Sequence, residues 1–234
     1  MKKSLFLAAL VLVSAGCFAQ KNPLVKKAKS YAMAETPDFG AARAAIDEAI
    51  SAEPTAETYY WAGMIGYQEM QQENYNQMMG KGVNQAKAGY AVEESYNYWL
   101  KADELATVMT LDKKGREVMT DAKTHSNITK KMLEYYKQQE LVKYGIYLNE
   151  QKDFDGAYTA FKMHTDIPEL AMMQDPKLQK EMPRDTTYTQ YRYYAAIFAV
   201  QAERHEEAIA LLEELKNGDY EVISVNQFLY QEYV

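Results

Sequence analysis

No disulfide can form within this chain of 234 residues, because Cys17 is its only cysteine. Glycine and proline are scarce as well, at 11 and 6, too few to furnish the turns of a many-stranded sandwich or barrel. A basic excess is also missing: 26 Lys and Arg stand against 33 Asp and Glu, for a formal charge of −7. Non-specific binding to a phosphate backbone needs the opposite sign, so nucleic acid is not an expected partner. No apolar run approaches the roughly 20 residues that cross a bilayer as a helix. What is present is 47% hydrophobic and 25% charged side chains, with strong helix formers (Ala, Glu, Lys, Gln and Met) recurring throughout. An all-α fold is the expectation.

Residues 1–19 read as an address. Lys2 and Lys3 precede an apolar run from Leu5 to Val13, followed by small Ser14, Ala15 and Gly16 and then Cys17-Phe18-Ala19, the order of a bacterial secretory signal. Cleavage after Ala19 leaves Gln20 as the first residue of a periplasmic chain, residues 20–234, with no cysteine. The other route is lipid attachment at Cys17 after Ala15-Gly16, giving an outer-membrane lipoprotein. Cleavage is preferred, because lipoprotein signals favour an aliphatic residue where Ser14 stands.

Beyond the signal the chain repeats itself. The clearest unit runs Leu141-x-x-Tyr144-Gly145-x-x-Leu148, then Asp153-Phe154-Asp155-Gly156-Ala157-x-x-x-Phe161, and closes at Pro168. Gly145 and Ala157 are small where two helices must approach closely, Phe161 fills the groove beside them, and Asp153 stands where it caps a second helix. Another copy carries Ala196, then Ala208 and Leu212, and ends at Gly218. A third spans Pro37 to Pro54 around Ala42, and its successor opens at Tyr59 with Gly63. The second helix of that successor is displaced downstream to Ser95 and Trp99.

This pattern resembles the tetratricopeptide repeat in degenerate form. The resemblance implies a right-handed α-α superhelix. The spacing departs from the family: Ala42, Ser95, Ala157 and Ala208 lie 53, 62 and 51 residues apart, against about 34 in a tandem array. Inserts are therefore expected at 71–89, where Asn74, Asn76, Gly80, Gly82, Asn84 and Gly89 weaken a long helix, and at 107–136. A third, 166–187, reads as a long loop that is either functional or mobile, or else folds Leu170, Met172 and Met173 back over the groove. The last residues form the first helix of a further pair, around Val225, Phe228 and Leu229. Either a partner covers that end, or the chain is the N-terminal part of a longer array, which is the preferred reading.

Catalysis has no positive signal. His125, His164 and His205 are far apart and read as surface residues, no metal-ligand or phosphate-loop spacing occurs, and no nucleophile elbow is present. Neither metal nor cofactor is expected. The unusual number is 20 tyrosines against 7 Phe and 2 Trp. The tetratricopeptide resemblance implies a concave groove for a peptide or partner helix, lined here by Tyr60, Met64 and Tyr67, by Val142, Ile146 and Asn149, and by Tyr193, Ile197 and Gln201. The expected function is a non-catalytic interaction or scaffold module of the cell envelope. The signal ending in Phe18-Ala19-Gln20, with tyrosine-rich repeats, is similar to exported repeat proteins of Bacteroidetes-type bacteria. Alternatives are a lipid-anchored structural subunit of an outer-membrane assembly or uptake complex, and a glycan-binding protein whose tyrosines stack along an open cleft.

Overall fold

The computed structural model describes residues 22–218 and 220–233. The expected signal and Cys17 lie outside the described residues. The chain is predominantly helical: α1 (Pro23–Ala32), α2 (Phe39–Ala52), α3 (Ala56–Met78) and α4 (Gln85–Ala106) lead into a two-stranded antiparallel ribbon, β1 (Met109–Leu111) and β2 (Glu117–Met119). There follow α5 (Ala122–Gln138), α6 (Glu140–Glu150), α7 (Phe154–Asp166), the short α8 (Pro176–Lys180), α9 (Thr186–Gln201), α10 (His205–Asn217) and α11 (Val222–Tyr233). Most helices open on a side-chain cap. Asp38, Asn84, Asp121 and Asp153 each accept a backbone N–H three residues on, and Thr55 and Thr58 form a reciprocal capping box.

Short connections fold consecutive helices against each other, pairing α1 with α2, α3 with α4, α6 with α7, and α9 with α10. Contacts of α2 with α3, α4 with α6, and α7 with α9 join the pairs, and α11 packs on α10. Small residues set the close approaches. A Cβ on Gly145 would stand 2.6 Å from the Phe161 ring, and one on Gly63 would overlap the indole of Trp99. Ala42, Ser95, Ala157, Ala196, Ala208 and Leu212 are fully buried. The turns of α6/α7 and α9/α10 share one hydrogen-bonding scheme. Lys152 and Glu203 adopt positive φ, 63° and 58°, and each N–H, with that of the next residue, closes back on the preceding helix, the Schellman arrangement.

The inserts differ from expectation. Helix α3 runs on past Asn74 and Asn76 because their side chains bond along the helix or across it: Gln72 donates to Asn76 at 3.2 Å, and Asn74 to Met70 sulfur at 3.0 Å. Only Gly80 and Gly82, at positive φ, break it. The 107–136 segment contains the ribbon and α5, whose Ile128, Met132 and Tyr135 are fully buried. Residues 166–187 are not an open loop. Two 3-10 turns, 167–169 and 171–173, and α8 carry Ile167, Met172, Met173 and Met182 into the same core as Trp99 and Tyr135, so apolar burial settles that segment in the folded-back arrangement.

A charged network ties α2, α3 and α4 together. The Arg43 guanidinium donates to Glu94 at 2.6 and 3.0 Å and to Glu69 at 2.6 Å, while Lys87 lies 3.2 Å from both Glu69 and Glu73. Glu69 and Glu73 are buried, and Glu73 also accepts the N–H of Asn84, the residue that caps α4. These contacts place the start of α4 beside the end of α3.

Candidate functional site

The nine residues expected to line one groove are not brought together on an open face. Met64 and Tyr67 are buried, because the inserted α5 packs on that side of α3. Tyr67 stacks on Tyr135 at 6.1 Å and donates its hydroxyl to Glu134 at 2.6 Å, with the Lys131 ammonium over its ring. Val142 is enclosed as well, since α6 packs against both α4 and α7. Tyr60 and Tyr193 are half-buried, meeting Trp61 and Tyr220 edge-on or tilted. Asn149 and Ile197 are also half-buried, and only Ile146 and Gln201 are exposed.

The histidines depart from expectation at one position. His164 is buried beneath Tyr136, ring against ring at 4.8 Å and 2°, with its Nδ1 unpaired. Burial lowers its pKa to about 4. His125 lies 2.6 Å from Asp103, and the exposed His205 lies 2.8 Å from Glu232. No cluster of His, Cys, Asp and Glu suited to a metal occurs among the described residues.

A concavity lies elsewhere, where the end of α3 and the start of α4 meet α6. A cleft of about 250 Å³ opens there, with Val83, Ala88 and Val92 as an apolar floor and the amides of Asn74, Gln77 and Gln85 at its rim. Tyr144 and Tyr147, one turn apart on α6, form its wall with rings 13° from parallel and 6.4 Å apart. Gly89 is what admits Tyr144, since any side chain there would occupy the space of its ring. At one end Glu140, only 6% exposed, accepts hydrogen bonds from Lys143 at 3.0 Å and Asn74 at 3.4 Å.

Acidic groups lie near Tyr144. Burial, then Glu93 and Asp153, raise the Tyr144 phenol above its ordinary pKa. Burial, then the charge of Asp153, push the Glu93 carboxyl up. Glu93 also borders a second concavity with Tyr90, Asn97 and Tyr98. The arrangement offers aromatic faces, amides and carboxylates to a ligand, which is recognition chemistry.

Of these residues the sequence marks Tyr144 as a repeat position, Asp153 as a helix cap, and Asn74 and Gly89 only as positions that weaken a helix. Gly89 carried a usable signal: a glycine inside a helix marks a close approach as well as a break. No protein-family model, curated protein or solved structure matches the chain at a significant level.

Proposed function

We propose that this protein is a non-catalytic interaction module of the cell envelope, a degenerate tetratricopeptide-like array that holds a segment of another protein in the cleft between α4 and α6. The observation that carries this reading is the cleft itself: two stacked tyrosines beside apolar Val83, Ala88 and Val92 and three amides, all but Val83 on helices. The matched turns of α6/α7 and α9/α10, with Gly145 and Gly63 under large aromatic rings, support the repeat architecture. Binding would be positional, burying a partner segment against a surface already formed.

The test replaces Gln85, on the exposed rim of the cleft, with a photo-crosslinking amino acid in living cells, and Glu35, exposed between α1 and α2, in a parallel strain. A protein adduct formed from Gln85, absent from Glu35 and lost when Tyr147→Ala is added, is the expected result. Identical adducts at both positions, or none, would count against the assignment. Stacked tyrosines on a cleft open to solvent also suit a sugar ring; oligosaccharide binding that depends on Tyr147, without a protein adduct, would move the function to glycan recognition. Mass spectrometry of the protein's N-terminus tests the compartment, with Gln20 as the expected first residue. A diacylated Cys17 would favour the lipid-anchored subunit.

A further inference from the structure

Most large apolar side chains of the described residues are buried between helices, and the ribbon after α4 is an exception. Val108, Met109, Leu111 and Met119 are 54%, 54%, 66% and 38% exposed. The register sets Met109 opposite Met119 and Leu111 opposite Glu117. Residues paired across an antiparallel ribbon share a face, so Met109, Met119 and Leu111 present one contiguous apolar surface to solvent. An isolated two-stranded ribbon is marginal in water. This one is held at its base, where the Thr120 N–H and hydroxyl both donate to the Val108 carbonyl and the Asp121 N–H donates to Ala106, so it is fixed to the ends of α4 and α5.

The ribbon is neutral, residues 108–121 setting three Lys and Arg against three Asp and Glu, while α5 behind it adds four Lys to one Glu, in a chain of net −7. The acids of this segment are largely committed. Asp112 accepts the N–H groups of Lys114 and Arg116 at 2.8 and 2.9 Å and pairs with the Arg116 side chain, and Asp121 caps α5. Lys113, Lys114, Lys123 and Lys130 are exposed, and no carboxylate among the described residues pairs with them. A rigid apolar face flanked by unneutralised lysines matches the two attractions of an anionic lipid surface, burial at the headgroup boundary and attraction to phosphate.

We propose that the β1–β2 ribbon is a membrane-surface docking element that lays Met109, Leu111 and Met119 flat on an anionic bilayer, with Lys113, Lys114 and Lys123 at the lipid phosphates. The ribbon does not enter tip-first, because that would drive Lys113 and Lys114 deepest. Glu117, on the docking face beside Leu111, opposes binding and sets its reversibility. This surface is separate from the α4/α6 cleft and does not depend on it.

The test is co-sedimentation of the purified protein with vesicles of phosphatidylcholine containing phosphatidylglycerol, and with vesicles of phosphatidylcholine alone. Binding to the anionic vesicles only is expected, with Leu111→Asp lowering the partition about tenfold or more. The pair Lys113→Gln and Lys114→Gln should lower it by roughly tenfold, and Glu117→Gln should raise it. Met78→Asp, at another exposed apolar site, should leave it unchanged. All these positions are exposed, where substitutions rarely disturb a fold. An acylated N-terminus would bind both vesicle types and survive Leu111→Asp. That pattern overturns the proposal, as does failure to bind anionic vesicles. It is overturned equally if Leu111→Asp, measured by light scattering, dissociates a dimer while the protein ignores lipid, a result that would assign the face to a second copy of the chain.

Discussion

Adding one methyl group to a helical glycine ordinarily stabilises a protein by about 0.5–1 kcal/mol, and at Gly145 it should do the reverse. The new Cβ would stand 2.6 Å from the ring of Phe161, itself fully buried. Gly145→Ala should therefore cost about 1–3 kcal/mol in urea unfolding, the range for overpacking a core. Gly40→Ala, in α2, meets nothing nearer than an Asp38 oxygen at 3.5 Å and should be neutral or stabilising. An equal effect at both positions would remove the close-packing role of Gly145. His164 supplies a second single-residue effect. Its pKa is lowered from 6.5 to about 4 by burial, so the folded state resists the proton that the unfolded chain accepts. Stability from this group is complete above pH 6.5 and drains away as pH falls toward 4, by about 3 kcal/mol in all. His164→Phe, which keeps a ring against Tyr136, should flatten that part of the pH profile relative to wild type. Profiles that fall in parallel would show that His164 is not the titrating group.

At the scale of elements, the turns after α6 and α9 place a lysine and a glutamate where glycine is the usual occupant. Left-handed backbone costs a residue with a Cβ roughly 1–2 kcal/mol, while glycine costs about 0.5–1 kcal/mol more in unfolded-chain entropy. Lys152→Gly and Glu203→Gly should each raise stability by roughly 0.5 kcal/mol, read as a shift of the urea midpoint at constant slope. A loss at either site would mean that its side chain makes a contact worth more than the backbone strain. These two helix pairs were also the most legible parts of the sequence. Their small and large residues lie within about 20 positions of each other, so local spacing alone predicts which side chains meet. Helix α5 was less legible as a packing element. Its Ile128 and Met132 show helical spacing, but nothing local says that they will cover Tyr67 and close the face of α3 expected to be open. The candidate cleft was hidden for the same reason: Gly89 and Tyr144 are 55 residues apart, and only the fold joins them. The ribbon carries too few residues for a period-2 signal to rise above the helical background.

The described residues of the molecule form three cores in chain order rather than one. Val25, Phe39 and Ile46 pack with the first half of α3; Trp99, Tyr135 and Met173 form the middle; Phe161, Phe198 and Leu212 pack with α11. Helices meet chiefly their neighbours in sequence, and chains built this way store stability as local and nearest-neighbour contributions that can fail separately. The first core is the smallest, and α3 is the element it shares with the middle one. Ile46→Ala removes a fully buried side chain from it at a cost of about 2–5 kcal/mol. In hydrogen exchange read by mass spectrometry, α1 and α2 should lose protection while α9, α10 and α11 keep theirs; uniform loss along the chain would show one cooperative unit. Arg43 is the link between the first two cores, since it joins α2 to Glu69 on α3 and Glu94 on α4. Arg43→Met keeps much of the stem but leaves buried Glu69 with Lys87 as its only cationic partner among the described residues, so it should loosen α2 from α3. Protection would then fall in α1 and α2 and at the start of α4, where the same network holds the floor of the cleft. The cleft is predicted to weaken with it, although Arg43 does not line it: the Tyr147-dependent adduct formed from Gln85 should decline in Arg43→Met and be unchanged in Ile46→Ala. Equal loss of the adduct in both variants would mean that α2 supports the cleft by bulk packing and not through these charges.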